Sequence, residues 1–307
     1  MIDVCLLGTG GAMPLPERDL SALLFRVNGS LYLVDCGEGT QVSMRKVGWG
    51  FRALDAIFIT HVHGDHVSGL PGLLLTLGNS ARTEPVDIYG PPGTRRVVRS
   101  LRSIAPYLPY RVRVHEILAP NIVRVGDIKI DTLPLEHSIP CLGYRFDLDR
   151  ARPFLAERAS ALDVPVSRWK ELQQGRSVRV GARVTDPDDV LGPTRRGLSF
   201  AYITDTNPIE PIVDFARQVD LLVCEANYAD NSDRPKARER GHMLFDEAAE
   251  LALRAGAQRL WLTHFSAAIK DPVAHQPLAR SIYSGAEVGT DRMATTLRFH
   301  DDAPARR

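Results

Sequence analysis

The sequence predicts an α/β protein built as an αββα sandwich, two β-sheets packed face to face with helices outside. Three observations carry this expectation. Strand-like apolar runs fall into two halves of the chain, helix-like segments are interleaved in both, and a polar, arginine-bearing stretch near residues 149–197 interrupts the pattern. Periodicity alone gives only mixed α/β; the two-half arrangement selects the sandwich. The chain therefore reads as one domain over 1–307, with 149–197 as an inserted arm.

The elements follow in order. Met1-Ile2-Asp3-Val4-Cys5-Leu6-Leu7 reads as a first strand. Leu20–Val27 and Leu31–Asp35 flank Asn28-Gly29, the dipeptide favoured in type I′ hairpin turns, so an antiparallel start to the sheet is expected. A helix is expected over Thr40–Val47, then a buried strand at Ala53–Thr60 and an apolar helix at Gly69–Leu77. Asp87–Tyr89 is a short strand, and Pro92–Ile104 a helix opened by proline. Strands are expected at Arg111–Leu118, Ile122–Val125, Ile128–Leu135 and Leu142–Leu148. After the polar stretch come Leu198–Thr204, Ile209–Ala216, Leu221–Glu225, Phe245–Ala255 (a helix stopped by Gly256), Arg259–Thr263, Val273–Tyr283 and Ala294–Phe299.

Composition narrows the function classes. Apolar residues make up 44% of 307, enough for a sizeable core, and no run of 18 apolar residues offers a membrane span. The N-terminus lacks a basic region and a cleavage signature, which predicts a cytoplasmic protein. Cys5, Cys36, Cys141 and Cys224 form no CxxC pair and sit in or next to apolar stretches, so they read as reduced, buried thiols. Net charge is +1, so a nucleic-acid partner would have to rely on a local basic surface.

The chemistry concentrates in His61-Val62-His63-Gly64-Asp65-His66. Two imidazoles two residues apart at a strand end are expected on one face. Gly64 is expected to turn the chain sharply, bringing Asp65 and His66 in from another direction. Four donors within six residues suit two adjacent cations. Imidazole and carboxylate favour Zn²⁺, with Mn²⁺ and Fe²⁺ compatible. Three further candidates follow predicted strands: His137, Asp205 and His264. Any one of them alone would be an ordinary structural histidine or turn acid; it is the conjunction that points to a metal hydrolase.

These motifs resemble the metallo-β-lactamase superfamily and, within it, the short form of the ribonuclease Z family. The resemblance runs through Leu7-Gly8-Thr9-Gly10-Gly11, Asp35-Cys36-Gly37-Glu38-Gly39-Thr40-Gln41, His61–His66, Glu136-His137-Ser138, Asp205-Thr206 and Thr263-His264-Phe265-Ser266. It implies two Zn²⁺ per subunit. His61, His63 and His137 would bind one, Asp65, His66 and His264 the other, and Asp205 would bridge them. Such a pair of ions suits in-line attack on a phosphodiester.

Asp35 exceeds the ligand count and is expected to orient a ligand histidine. Asp65 is expected to handle the attacking water while ligating metal. His242, in Gly241-His242-Met243-Leu244-Phe245, resembles the family's catalytic histidine, and Glu225 its acidic partner. The implied activity is removal of the 3′ trailer from precursor tRNA by a homodimer in which one subunit's arm serves the other's active site.

Two segments depart from the family pattern. Where the family reads the RNA 3′ end with Pro-x-Lys-x-Arg-Asn, this chain has Pro14-Leu15-Pro16-Glu17-Arg18-Asp19. Arg18 survives as a phosphate contact, and discrimination of the CCA end is not carried over. The arm lacks the usual Gly-Pro centre, although Leu191-Gly192-Pro193 resembles its return. Residues 145–198 hold eleven Arg/Lys against eight Asp/Glu, and Arg168-Trp169-Lys170 offers phosphate contacts beside a packing aromatic. The competing readings are a small-molecule phosphodiesterase, arylsulfatase or lactonase on the same scaffold, and a noncatalytic RNA-binding protein.

Overall fold

In the computed structural model, residues 1–299 are described. β1 (Ile2–Gly8), β2 (Ala22–Val27) and β3 (Ser30–Val34) form an antiparallel start. The β2–β3 turn places Asn28 at φ +49° and Gly29 at +91°, the left-handed pair a type I′ turn requires. After α1 (Thr40–Val47) the sheet turns parallel through β4 (Leu54–Phe58). α2 (Gly64–Val67) and α3 (Leu70–Asn79) lead to β5 (Val86–Gly90), then α4 (Thr94–Leu101) to the edge strand β6 (Val112–Glu116).

The second sheet begins with β7 (Asn121–Val125), β8 (Ile128–Leu135) and β9 (Cys141–Arg150). Residues 148–198 then pack as a compact unit of their own. It holds α5 (Ala156–Ala161), α6 (Trp169–Gln173), the hairpin β10 (Val178–Val180) and β11 (Arg183–Thr185), and α7 (Pro187–Val190). Its small core is Ala159, Val164, Leu172, Val178 and Val190, with Phe154 and Trp169 against it.

β12 (Arg195–Ile203), α8 (Pro211–Phe215), β13 (Leu221–Glu225), α9 (Arg234–Arg240), α10 (Phe245–Ala255), β14 (Leu260–Thr263), α11 (Gln276–Arg280) and β15 (Ala286–Val288) complete the second sheet and its helices. β12 to β15 are parallel neighbours. β16 (Ala294–Leu297) returns to pair antiparallel with β1. The two large sheets have seven strands each, in the orders β16-β1-β2-β3-β4-β5-β6 and β15-β14-β13-β12-β9-β8-β7.

Core packing explains why the two sheets hold one another. Phe25 of β2 meets Phe146 of β9 at 4.7 Å and Phe200 of β12 at 5.0 Å between ring centroids, and Phe58 of β4 meets Phe146 at 5.3 Å. Outside, α1, α3 and α4 cover the first sheet through Met44, Leu70, Leu73, Leu74, Leu77 and Val98, and α10 covers the second through Phe245, Ala248 and Ala252. The four cysteines are free and buried. Among the described residues, no helix is long and apolar enough to cross a membrane.

Candidate metal centre

The donors gather where strands of both sheets end. β4 stops at Phe58, so His61 and His63 lie in the loop beyond it, and strand periodicity is not what aligns them. Two bonds from the second sheet hold that loop: Leu142 N–H donates to Thr60 O (2.9 Å), and Tyr144 Oη to Ile59 O (2.7 Å). Gly64 does not make the expected sharp turn. It has no left-handed φ, and a Cβ there would meet open space. Instead His63, extended at φ −67° and ψ 156°, precedes α2, and that short helix swings Asp65 and His66 inward.

Asp35, Asp205 and His264 each follow the last residue of a strand or lie two past it, and each has a positive φ (+58°, +49° and +58°). Asp and His tolerate this region better than most residues, and non-glycine residues held there cluster at functional sites. The turn rotates the side chain off the sheet and into the centre.

The donor atoms form two groups. His63 Nδ1 lies 3.0 Å from His61 Nε2 and 3.2 Å from His137 Nε2. His66 Nε2 lies 3.2 Å from His264 Nε2, and Asp65 Oδ2 is 3.5 Å from each. Asp205 spans both: Oδ1 is 3.8 Å from His61 Nε2 and 3.9 Å from His137 Nε2, while Oδ2 is 3.2 Å from His66 Nε2 and 3.3 Å from His264 Nε2. Donors about 2.0–2.1 Å from one tetrahedral ion sit roughly 3.3–3.4 Å apart, so both groups fit a cation of that size. Ring nitrogens converging this closely on one another, at least one in each pair lacking a proton, also have the chemistry of a metal site.

A shell of hydrogen bonds fixes the rings. Asp35 is fully buried and lies 2.8 Å from His66 Nδ1 through Oδ2. The same carboxylate accepts from Thr60 N–H at 2.8 Å and from Thr60 Oγ1, which in turn sits 3.1 Å from His61 Nδ1. His137 Nδ1 is 3.2 Å from Gly241 O, and His264 Nδ1 is 3.1 Å from the Asn227 amide. Asp65 Oδ2 accepts from Ala12 N–H at 2.7 Å. Gly11 allows this loop to approach: a Cβ there would fall 2.7 Å from His264 Cε1.

Protonation follows the same geometry. Burial, reinforced by the charge of His66, holds His61 well below the usual imidazole range. Burial would do the same to His66, but Asp205 and Asp35 outweigh it and raise that ring well above the range. Burial alone would raise Asp65, yet the hydrogen bonds from His264 and His66 hold its carboxyl well below the carboxylate range.

His242 lies beside the centre, its Nδ1 3.0 Å from Glu225 Oε2 and 3.9 Å from Asp205 Oδ1. Burial pushes its pKa down, but the charge and hydrogen bond of Glu225 prevail and lift it to about 9. Glu225 is itself buried, accepting from Thr206 N–H at 2.6 Å. A cavity of about 610 Å³ opens over Asp65, His63, His137, His264, His242 and Arg240.

Arg18 is placed elsewhere and is a correction to its expected role. Its guanidinium is largely buried and donates to Ser266 O (3.2 Å), Ile269 O (2.7 Å) and Lys270 O (3.3 Å), anchoring the loop after β14 rather than offering itself to a phosphate. Asp19 is likewise structural, accepting from Ser43 Oγ at 2.5 Å. In the arm, Arg168 pairs with Glu171, Trp169 Nε1 donates to Val164 O at 2.9 Å, and Lys170 is exposed. Sequence reasoning did not single out Thr60, Ala12, Thr206 or Asn227 for these contacts. Thr60 and Thr206 adjoin the candidate ligands His61 and Asp205, Asn227 stands two residues past Glu225, and Ala12 follows Gly10-Gly11.

Comparison with known proteins agrees with this picture. Residues 158–265 match a family model described as a beta-lactamase superfamily domain, and residues 2–103 one described as anti-Pycsar protein Apyc1. A ribonuclease Z of Lachnoclostridium phytofermentans is 45% identical over 300 residues, covering 97% of this chain and 99% of its own. That of Clostridium acetobutylicum is 41% identical over 309 residues, covering 98% and 100%. Among solved structures, human tRNase Z, short form, superposes with a TM-score of 0.69 at 27% identity, covering 97% of this chain and 100% of its own. A metallo-beta-lactamase fold protein from Bacillus subtilis superposes at 0.70 with 19% identity, covering 96% and 98%.

Proposed function

Because the chain belongs to the ribonuclease Z family of the metallo-β-lactamase superfamily, we propose that it is the metal-dependent endoribonuclease that removes the 3′ trailer from precursor tRNA. The observation that carries this reading is the family identity over nearly the whole chain, joined to an intact donor set at the strand ends.

Zn²⁺ suits the nitrogen and oxygen donors: His61, His63 and His137 would hold one ion, Asp65, His66 and His264 a second, and Asp205 would serve both. When bound, such a pair polarises a phosphoryl oxygen and lowers the pKa of water. The chain's own residues do the rest. Asp65, which accepts from Ala12 N–H, takes the proton of the attacking water in this reading. His242 has Nδ1 engaged by Glu225, which leaves Nε2 to donate a proton to the departing 3′ oxygen. The separate unit 148–198, with Arg168 and Lys170, is the tRNA-gripping arm of this reading, and the active form is a homodimer in the cytoplasm.

The test pits substrates against one another. Metal-loaded protein is incubated with precursor tRNA bearing a 3′ trailer, with bis-p-nitrophenyl phosphate and with a lactone panel. Cleavage at the trailer junction is expected. Fast small-ester or lactone turnover with intact precursor would replace this reading with the small-molecule one. Sedimentation of the loaded protein reports the dimer.

A further inference from the structure

A run of arginines with no acid among them lies outside the centre and outside the arm. Residues 91–113 hold six arginines (95, 96, 99, 102, 111 and 113) and no acid, in a chain whose net charge is +1. Residues 145–198, by contrast, offset eleven basic residues with eight acids. α4 and the 3-10 turn that follows it place Arg95, Arg99 and Arg102 at i, i+4 and i+7, one face spanning about 10 Å.

With Val98, Val112 and Val114 as an apolar floor, these arginines line a cleft of about 310 Å³ against the edge strand β6. Two arginines of the segment are engaged: Arg95 donates to Val114 O at 2.7 Å, and Arg113 grips Asp87 with two bonds. Among the described residues, Arg96, Arg99, Arg102 and Arg111 have no carboxylate partner. Arg102 Nε is buried with no acceptor, an arrangement that an anionic oxygen would relieve. Five residues beyond Arg102, Tyr107 is 92% exposed. Unpaired arginines with an exposed aromatic a few residues along the chain are the residue types that hold single-stranded nucleic acid, charge for phosphates and a ring for bases.

Topology relates this face to the chemistry. β3 to β6 are parallel, so α4 starts at the sheet end where Asp35 and His61 leave β3 and β4. β6 is two strands from β4, about 10 Å across the sheet. We propose that the cleft lined by Arg95, Arg99 and Arg102 binds a single-stranded segment of the RNA substrate outside the centre. The inference rests on the ribonuclease reading above, and it favours RNA over an anionic lipid surface because the arginines line a cleft, which takes a strand of phosphates, rather than a flat basic face.

The test uses the full chain and the double variant Arg99→Ala/Arg102→Ala. Binding of a labelled single-stranded RNA of about 12 nucleotides is followed by fluorescence anisotropy over a salt series. The variant is expected to bind roughly tenfold more weakly at low salt, its log K against log salt slope shallower by about 0.7 for each lost contact. Bis-p-nitrophenyl phosphate turnover is expected to stay unchanged, which reports an intact fold and centre. Equal affinity and slope in both proteins would overturn the inference. So would binding of phosphatidylserine vesicles without binding of RNA. Weakened RNA binding by the variant, in a protein that leaves precursor tRNA uncut, would uphold the cleft while removing the processing reading.

Discussion

Asp35 shows how much of this centre depends on a residue that touches no donor position directly. Its carboxylate faces His66 Nδ1 and, through Thr60 Oγ1, reaches His61 Nδ1, so one buried group orients a ring in each donor group. Asp35→Asn keeps the shape but removes the charge, and outer partners of this kind tune metal affinity by 10- to 100-fold. A loss of about that size is expected, measured by chelator competition, with the fold retained by circular dichroism. His242 makes the opposite case. Its Nδ1 is bound to Glu225 rather than aimed at the donors, so His242→Ala is expected to keep both metals by elemental analysis and to lose cleavage roughly 10²–10⁴-fold. Metal loss in that variant would make it a ligand instead.

At the scale of elements, most of the architecture was legible because apolar periodicity and turn chemistry agree. Thr40–Val47, Ile128–Leu135, Leu221–Glu225 and Phe245–Ala255 have the bounds expected of them. α9 was missed, and the reason is physical. Only Ala237 on it is buried, so it has no apolar stripe to read. Charge holds it in place: Arg234 and Arg238 converge on Glu247 of α10, which also accepts from Leu244 N–H at 3.0 Å.

That contact matters because α9 ends at Arg240, directly before Gly241 and His242. Gly241 sits at φ +68°, and a Cβ there would fall 2.9 Å from His137 Nδ1, so the loop is built around close approach. Glu247→Ala is expected to cost about 2 kcal/mol of stability and to lower kcat while metal content holds. Denaturant titration and steady-state kinetics read the two effects. The candidate donors of His61–His66 stood out by their spacing, and the family resemblance joined His137, Asp205 and His264 to them as ligands. The turn that aims them was not legible, since Asp35, Asp205 and His264 owe their direction to left-handed backbone that no residue pattern announces.

At the scale of the whole chain, residues 148–198 form a compact unit with a core of their own. Arg195 donates to Ala151 O at 3.0 Å, so the two ends of the insertion lie side by side. Replacing residues 152–194 with a short Gly-rich linker is therefore expected to leave metal content and small-ester turnover in place. Cleavage of precursor tRNA should fall by roughly 10²-fold or more, as expected when a second attachment point is lost. Unchanged tRNA cleavage would deprive the insertion of its gripping role.

The donor set also has a consequence for how the protein comes apart. His66 and His264 face one another across 198 residues of sequence, one from each half of the sandwich. Contacts of such long range form late in folding, and an ion that binds only after they form behaves as a clasp on the finished fold. Dialysis against a chelator is expected to lower the melting temperature by several degrees and to speed unfolding more than it slows refolding. Equal melting curves with and without metal would mean that the two halves hold together by their aromatic seam alone.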